Sequence, residues 1–213
     1  DAELSLRDGS RVAVIGGGPA GSFFSYFLLK MAAAVDLRLE VDIYEPRGFS
    51  RCGPAGCNHC GGIVSESLVQ ILAAEGICLP EGVVQSGIES YVVHMDVGSV
   101  DIASPAREQR IAALYRGNGP RGGEALHGIS FDAYLQGLAV EKGAHMVPKL
   151  VSGVSWKNGY PWLREAGGAE TRYDLVTVAS GVNSNFLGLI DGFPSPPGVP
   201  RTTRTYICEF RST

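Results

Sequence analysis

The pattern of apolar and polar residues at the start of the chain predicts a strand, a helix and a second strand. Residues 11–15 form a short apolar run rich in β-branched side chains, which is typical of a buried parallel strand. A glycine-rich turn at 16–21 follows, and the longer apolar stretch at 22–31 predicts a packed helix. Residues 40–45 alternate polar and apolar side chains and predict the second strand.

The remainder of the chain mixes helical and strand patterns. Helices are predicted at 65–76, where Ser65 can cap the first turn, and at 130–139. The apolar stripe of the first of these helices consists of Leu68, Ile71, Leu72 and Ala73. Strands are predicted at 88–94, 110–115, 144–147, 173–179 and 206–210.

Turn residues predict a small antiparallel meander before the strand at 173–179. Gly153, Asn158-Gly159 and Gly167-Gly168 divide this region into short segments with the pattern of a pair of hairpins.

Composition limits the classes of function. A chain of 213 residues with 45% hydrophobic content can bury a core as one large domain or two small ones. A net charge of −4 with scattered basic residues argues against a nucleic-acid partner. Residues 1–8 are polar and unlike a signal peptide, and the longest apolar stretch, 23–35, is too short to span a membrane. The odd number of cysteines, five, indicates a reducing cytoplasm, while peripheral contact with a membrane is left open.

The glycine turn carries the strongest functional signal because a strand precedes it and a helix follows it. In that context the pattern G-x-G-x-x-G is a dinucleotide-binding fingerprint. Gly16 permits the tight turn, Gly18 lets the backbone approach a pyrophosphate, and Gly21 lets the helix pack closely on the strand. Pro19 and Ala20 begin the helix, whose N-terminal N–H groups would face the anion.

An acidic residue ends the second predicted strand. Glu45 follows the glycines by a little more than the roughly 20 residues expected of an acid that binds a ribose hydroxyl. A carboxylate there would repel a 2′-phosphate, which favours NAD or FAD over NADP. Pro46 and Arg47 continue the same candidate cofactor-binding segment. A glycine turn that binds no ligand is the alternative interpretation.

A second motif indicates FAD. Residues 170–181 resemble the second fingerprint of flavoprotein oxidoreductases, an apolar strand ending in a small-small-Gly turn at Gly181 where the backbone passes the cofactor. The chain as a whole resembles the geranylgeranyl reductase family of FAD-dependent oxidoreductases, which shares its fold with hydroxybenzoate hydroxylases and flavin halogenases. Residues 131–135 with Gly143-Ala144 are similar to the F-D-x-x-L…G-A stretch of that family.

The sequence departs from this family in two places. Gly128 stands where many relatives carry an arginine, so the expected phosphate contact would have to come from Arg116 or Arg121. The later Gly-Asp motif that touches the cofactor is missing, and the resemblance covers about the first half of a typical member. The resemblance therefore implies an N-terminal fragment that holds FAD incompletely and exposes a truncated strand at 206–210.

The cysteine-rich segment 51–62 allows several interpretations. By resemblance, Cys60-Gly61-Gly62 is similar to the loop that reductases of this family place over the flavin ring, and Cys60 or His59 would supply a proton to the substrate. Cys52, Cys57 and Cys60 also have the spacing of a plant-type iron–sulfur site, with a fourth ligand in Cys78 or Cys208. A redox dithiol and inert buried thiols are the remaining alternatives. We expect no cluster and no other metal site.

These observations predict an α/β fold. A Rossmann-type FAD/NAD(P)-binding parallel sheet with a β-meander would comprise residues 1–86 and 117–199. Residues 87–116 and 200–213 would contribute strands to an incomplete antiparallel substrate-domain sheet.

The function implied is that of an FAD-dependent oxidoreductase. Reduced flavin would transfer a hydride to a small apolar substrate such as an isoprenoid double bond, with NADPH or a ferredoxin-like protein as the electron donor. The alternative activity on this scaffold is that of a flavin-dependent monooxygenase or halogenase. A non-enzymatic alternative is an FAD- or NAD-binding module of a larger redox complex.

Overall fold

The computed structural model describes residues 5–49, 62–88, 90–103, 111–114, 129–181, 184 and 186–190. In chain order the strands of this part are β1 (Ser10–Ile15), β2 (Leu39–Tyr44), β3 (Ile63–Val64), β4 (Val84–Ile88), β5 (Ser90–Met95), β6 (Gly98–Ala103), β7 (Ile111–Leu114), β8 (His145–Val147), β9 (Val151–Lys157), β10 (Tyr160–Glu165), β11 (Glu170–Arg172) and β12 (Leu175–Val178). The helices are α1 (Pro19–Ala34), α2 (Glu66–Ala74) and α3 (Phe131–Glu141), with a 3-10 turn at Phe186–Leu189. No helix in this part is long and apolar enough to cross a membrane.

The chain divides into two compact units. One comprises Asp1–Gly48 and Asp132–Thr205, and the other comprises Phe49–Phe131 and Tyr206–Thr213. The boundaries expected from the sequence, at 86, 117 and 199, remain a prediction.

The first unit contains a parallel four-stranded sheet in the order β12-β1-β2-β8. β1 pairs on one side with β2 and on the other with β12, so that Val14 lies between Ile43 and Thr177. Val12 and Val14 have no exposed surface, which accounts for the unbroken apolar sequence of this strand. The parallel order, with α1 connecting β1 to β2, confirms the predicted Rossmann-type α/β class.

Alternate residues of β1 supply two different cores. Val12 and Val14 pack with Val41 and Ile43 of β2 and with side chains of α1 and α3. Ala13 and Ile15 face the opposite side, where they share a core with residues of β9 and β10. The two-residue period of the strand therefore places the sheet between helices on one face and an antiparallel meander on the other.

The meander consists of β9, β10 and β11 in antiparallel order. Its first turn is Asn158-Gly159, where both residues have positive φ (53° and 80°), as a two-residue hairpin turn requires. This confirms the hairpin predicted from that dipeptide. The role assigned to Gly153 was wrong: it lies within β9 opposite Arg164 and not at a turn.

The second unit contains α2 and the antiparallel sheet β3-β7-β4. The Ser65 hydroxyl caps α2 by accepting a hydrogen bond from the backbone N–H of Leu68 at 3.3 Å, as predicted. The predicted apolar stripe was wrong in part, because Leu72 is buried while Ile71 and Ala73 are exposed. Leu68 and Leu72, four residues apart, share the packed face, and the rotation of the helix turns the other two positions away.

A separate hairpin, β5–β6, completes the described part of this unit. The strand predicted at 88–94 corresponds to β5, whereas β6 was missed. Tyr91 pairs with Ile102 and Val93 with Val100, so four apolar side chains share one face of the hairpin. These side chains are 39–53% exposed. The strand predicted at 206–210 lies outside the described residues.

Candidate dinucleotide-binding site

The turn between β1 and α1 has no room for side chains at two of its glycines. A Cβ atom at Gly16, whose φ is +106°, would lie 2.3 Å from the carbonyl oxygen of Ala179. At Gly21 a Cβ atom would lie 1.9 Å from the carbonyl oxygen of Gly16. Glycine at these positions is therefore required by the contact of the turn with β12 and by the contact of α1 with the turn.

Gly18 differs from these glycines because no described residue fills the space beside it. Within the described part of the chain, a Cβ atom there would have no neighbour within 4 Å. Gly18 is the N-cap of α1 and provides no side-chain cap, and Pro19 and Ala20 follow it in a first turn without acidic residues. Among the described residues, no partner accepts a hydrogen bond from the Gly18 N–H. The positive end of α1 and the Gly18 N–H therefore have no partner among the described residues, and such a helix N-terminus is an arrangement that binds a pyrophosphate.

Glu45 lies directly after β2 with its side chain only 3% exposed. Its carboxylate accepts hydrogen bonds from the backbone N–H of Gly17 at 3.1 Å and from the backbone N–H of Arg47 at 3.0 Å. The Arg47 guanidinium donates to both oxygens of the Glu45 carboxylate, at 2.9 and 3.1 Å. The Arg47 side chain itself is half-exposed to solvent. These four donors match the hydrogen-bonding capacity of a carboxylate. The acid thus orients the glycine turn, and its contact with a ribose stays a prediction, as does a role for the exposed Pro46.

The second fingerprint lies beside the first. β12 runs parallel to β1 with Val178 opposite Ile15, and the N–H of Ala179 donates to the Ile15 carbonyl at 2.8 Å. Gly181 follows with a φ of +82°, and no residue that the structure describes lies within 4 Å of a Cβ position there. Both glycine turns therefore lie at the carboxyl edge of the parallel sheet, where ligands of this fold class bind.

Most of the cysteine segment lies outside the described residues. This applies to Cys52, Cys57, His59, Cys60 and Gly61, so their predicted roles over the flavin ring, in proton transfer and in a cluster stay predictions. Cys208 and the substitute arginines, Arg116 and Arg121, also lie outside them.

Gly62, the last residue of the cysteine-rich segment, lies in the second unit and contacts the backbone of Leu114. Its φ is +70°, its carbonyl accepts a hydrogen bond from the Leu114 N–H at 2.7 Å, and a Cβ atom would lie 2.1 Å from the Leu114 carbonyl oxygen. The described Cys78 is exposed. Within the described ranges, no three His, Cys, Asp or Glu side chains form a group that could hold a metal ion.

Sequence reasoning missed two side chains that touch the glycine turn. The Ser22 hydroxyl donates to the Gly17 carbonyl at 3.1 Å, and the Gln136 amide donates to the same oxygen at 2.9 Å. Ser22 is one turn into α1, whereas Gln136 comes from α3, 119 residues away in sequence. The single sequence contains no signal that would pair Gln136 with the turn.

A buried polar network beneath the sheet was also missed. Tyr173 donates from its hydroxyl to Asp42 at 2.7 Å, and the Tyr44 hydroxyl lies 2.9 Å from that of Tyr173. Since Tyr173 has only one hydroxyl proton, Tyr44 is the donor of that second bond. Arg11 lies over the Tyr173 ring at 4.9 Å and 3.6 Å from Asp42. The network connects β2, which ends just before Glu45, with Tyr173, which lies between β11 and β12.

No protein-family model matches this sequence, and no curated protein matches it. Solved structures do match it. The Diels-Alderase PyrE3 of pyrroindomycin biosynthesis has a TM-score of 0.58 at 13% identity over 83% of this chain and 33% of its own. The halogenase PltM, in complex with phloroglucinol and FAD, has a TM-score of 0.56 at 15% identity over 83% and 35%. The flavin-dependent brominase Bmp2 has a TM-score of 0.55 at 20% identity over 81% and 38%.

At these identities the likeness establishes the fold. The chain, with its parallel sheet, α1 and meander, therefore shares an α/β fold with these solved structures. The chain spans somewhat more than a third of the length of the halogenases that it matches.

Proposed function

We propose that this chain is the cofactor-binding part of an FAD-dependent oxidoreductase. The observation that carries the proposal is the open N-terminus of α1 at Gly18, placed at the carboxyl edge of the parallel sheet beside the second glycine turn. The fold of a halogenase solved with FAD supports the choice of cofactor.

The residues present fit the adenosine and pyrophosphate parts of FAD. The Gly18 N–H and the first turn of α1 would hold the pyrophosphate. Glu45 and Arg47 would lie beside the adenosine ribose, and Gly181 would let the backbone approach the cofactor further along. FAD, when bound, supplies the redox chemistry, and the residues described here bind and orient it.

Titration of the 213-residue chain tests this proposal. We expect FAD and ADP to bind, and NADP to bind more weakly than FAD because its 2′-phosphate would meet the carboxylate of Glu45. Flavin fluorescence and equilibrium dialysis measure the dissociation constants. Absence of FAD and ADP binding, or a preference for NADP, would contradict the assigned cofactor.

Glu45→Ala is expected to weaken FAD binding by about 1.5–3 kcal/mol, roughly ten- to a hundredfold. The reason is that the carboxylate would accept a charge-assisted hydrogen bond from the ribose hydroxyl in place of one of its bonds from the half-exposed Arg47 side chain. The variant also leaves the Gly17 N–H without its acceptor, so its thermal stability should fall. Glu141→Ala, at an exposed position at the end of α3, is the matched control and should change neither quantity. Unchanged FAD affinity in Glu45→Ala would remove Glu45 from the site.

The reaction that we propose is hydride transfer from reduced flavin to an apolar substrate such as an isoprenoid double bond. Its support is the resemblance of the sequence to geranylgeranyl reductases. Cys60 or His59 would donate the proton, and NADPH or a ferredoxin-like protein would supply electrons. The cysteine content is the basis on which we propose a cytoplasmic location.

A flavin-dependent monooxygenase or halogenase is the second candidate, favoured by the likeness to PltM and Bmp2. The two candidates differ in what reoxidises the reduced, bound flavin. Stopped-flow absorbance under oxygen, and under argon with an isoprenoid alkene, separates them. Rapid oxidation by oxygen would favour the second candidate, whereas oxidation by the alkene would favour the first.

A further inference from the structure

The peptide between Gly17 and Gly18 is held from three directions. The buried Gly17 donates its N–H to Glu45 at 3.1 Å, and its carbonyl accepts hydrogen bonds from Ser22 at 3.1 Å and Gln136 at 2.9 Å. A Cβ atom on Gly17 would lie 2.8 Å from both the Gln136 amide nitrogen and the Glu45 Cβ. The residue between the two functional glycines is therefore tightly enclosed by polar side chains.

The orientation of this carbonyl determines where the next N–H points. The Gly17 carbonyl and the Gly18 N–H belong to one planar trans peptide, in which the two groups point in opposite directions. Because Ser22 and Gln136 hold the carbonyl on one side, the Gly18 N–H is directed to the other. Among the described residues, none accepts a hydrogen bond from this N–H, and none lies within 4 Å of a Cβ position on Gly18.

We propose that Gln136, together with Ser22, is a positioning residue for the dinucleotide. It keeps the Gly17–Gly18 peptide in the orientation that presents an N–H group, and not a carbonyl oxygen, to the pyrophosphate. The inference rests on the proposed function, since it assigns a role to these side chains in the same site. A rotated peptide would direct a carbonyl dipole of the wrong sign at an anion.

The chemistry and the location of Gln136 suit this role. Its neutral amide donates a hydrogen bond without adding negative charge next to Glu45 or to an incoming phosphate. α3 is anchored by the buried Leu135 and Ala139, which are 2% and 0% exposed, so the amide is supplied from a packed helix. Ser22 has no exposed surface. Both donors are therefore held in place before any ligand arrives.

Gln136→Met tests the proposal because methionine keeps the length of the side chain and removes the donor. We expect the dissociation constants for ADP and for FAD to rise about three- to tenfold, the effect of one net hydrogen bond. Adenosine, which has no pyrophosphate, should bind as it does to the unaltered chain. Ser22→Ala should act in the same direction. Gln70→Met, on the exposed face of α2 where the amide contacts Glu66 at 3.2 Å, is the matched control and should leave all three affinities unchanged.

Each outcome discriminates. Equal ADP affinity in Gln136→Met and the unaltered chain would overturn the positioning role and leave the proposed function standing. A parallel loss of adenosine and ADP affinity, with a lower melting temperature, would assign Gln136 a purely structural role and also overturn the inference. Failure of the unaltered chain to bind ADP or FAD would instead overturn the proposed function.

Discussion

Gly16→Ala is expected to lower the free energy of unfolding by about 3 kcal/mol or more, and the melting temperature by roughly 6–12 °C. Two independent costs add. The backbone at Gly16 has a φ of +106°, a conformation that strains a residue with a side chain by about 1–3 kcal/mol. The new Cβ would also lie 2.3 Å from the Ala179 carbonyl oxygen, so β1 and β12 would have to separate at the edge where both glycine turns lie. Urea unfolding followed by circular dichroism measures the loss.

Gly137→Ala is the matched control for that substitution. Gly137 is exposed in the middle of α3, and none of the residues that the structure describes lies within 4 Å of a Cβ position there. Alanine should stabilise the helix by up to about 1 kcal/mol because glycine is a poor helix former. If both substitutions lower the free energy of unfolding, the loss is a general effect of an added methyl group. An unchanged free energy of unfolding in Gly16→Ala would contradict the contact with Ala179.

Gly18→Ala separates folding from binding. The methyl group has space and the φ of −69° suits any residue, so the melting temperature should stay within about 2 °C of that of the unaltered chain. ADP affinity should nevertheless fall, because the methyl group would occupy the space that we assign to the pyrophosphate. Isothermal titration measures this. Undiminished ADP binding would place the ligand elsewhere.

The second large effect concerns Tyr173. Tyr173→Phe should cost about 1–3 kcal/mol of unfolding free energy, because it leaves the buried Tyr44 hydroxyl without an acceptor and removes a donor from Asp42. Adding Tyr44→Phe should recover part of this loss, since the unpaired hydroxyl is then gone. The double variant is thus expected to be more stable than Tyr173→Phe alone, which urea unfolding at pH 8 would reveal. Tyr160→Phe, in the same meander but 41% exposed, is the control. Simple addition of the two losses would contradict the hydrogen bond between the tyrosines.

The same pair makes stability depend on alkaline pH. Burial raises the pKa of Tyr173 well above its usual value of about 10, and the hydrogen bond that it donates to Asp42 raises it further. Burial also raises the pKa of Tyr44. A group whose folded pKa is raised stabilises the fold fully below its unfolded pKa, and this stabilisation is lost as pH rises through the folded pKa. The unfolding free energy should therefore fall from about pH 10 upward. The fall should be smaller in the double phenylalanine variant, which unfolding curves at pH 8 and pH 11 would test.

Local signals were sufficient for the elements that surround the glycine turn. The β-branched run of β1, the glycines and the apolar length of α1 are short-range features, and each corresponds to the structure. The same holds for the Asn158-Gly159 turn, whose sequence requires positive φ. Gly153 failed as a turn signal because a glycine is also tolerated inside a strand. β6 was missed because Gly98, Ser99 and Asp101 weaken its strand pattern, and only the pairing with β5 reveals it.

The contacts within the candidate site required the three-dimensional structure. The sequence spacing identified Glu45 as an acid associated with the glycines. It did not predict that the Glu45 carboxylate accepts a hydrogen bond from the Gly17 N–H. Gln136 reaches the turn from a helix more than one hundred residues away. The partnership of Tyr44 with Tyr173 likewise spans 129 residues. Long-range side-chain contacts of this kind leave no periodicity in a single sequence.

β1 pairs with β2, which is close to it in sequence, and with β12, which is far from it in sequence. This difference matters while the chain is being synthesised on the ribosome. β2 follows β1 closely in the chain, whereas the contact of Arg11 with Asp174, beside the β1–β12 pair, spans 163 residues. At typical rates of elongation of about 5–20 residues per second, β12 emerges roughly 8–33 seconds after β1. Strand pairing itself takes microseconds. The edge of β1 that pairs with β12 therefore stays unpaired until β12 has been synthesised. During this interval the edge of Val12, Val14 and Ile15 is open to chaperones and to other nascent chains, and translation speed over residues 16–175 sets how long that exposure lasts.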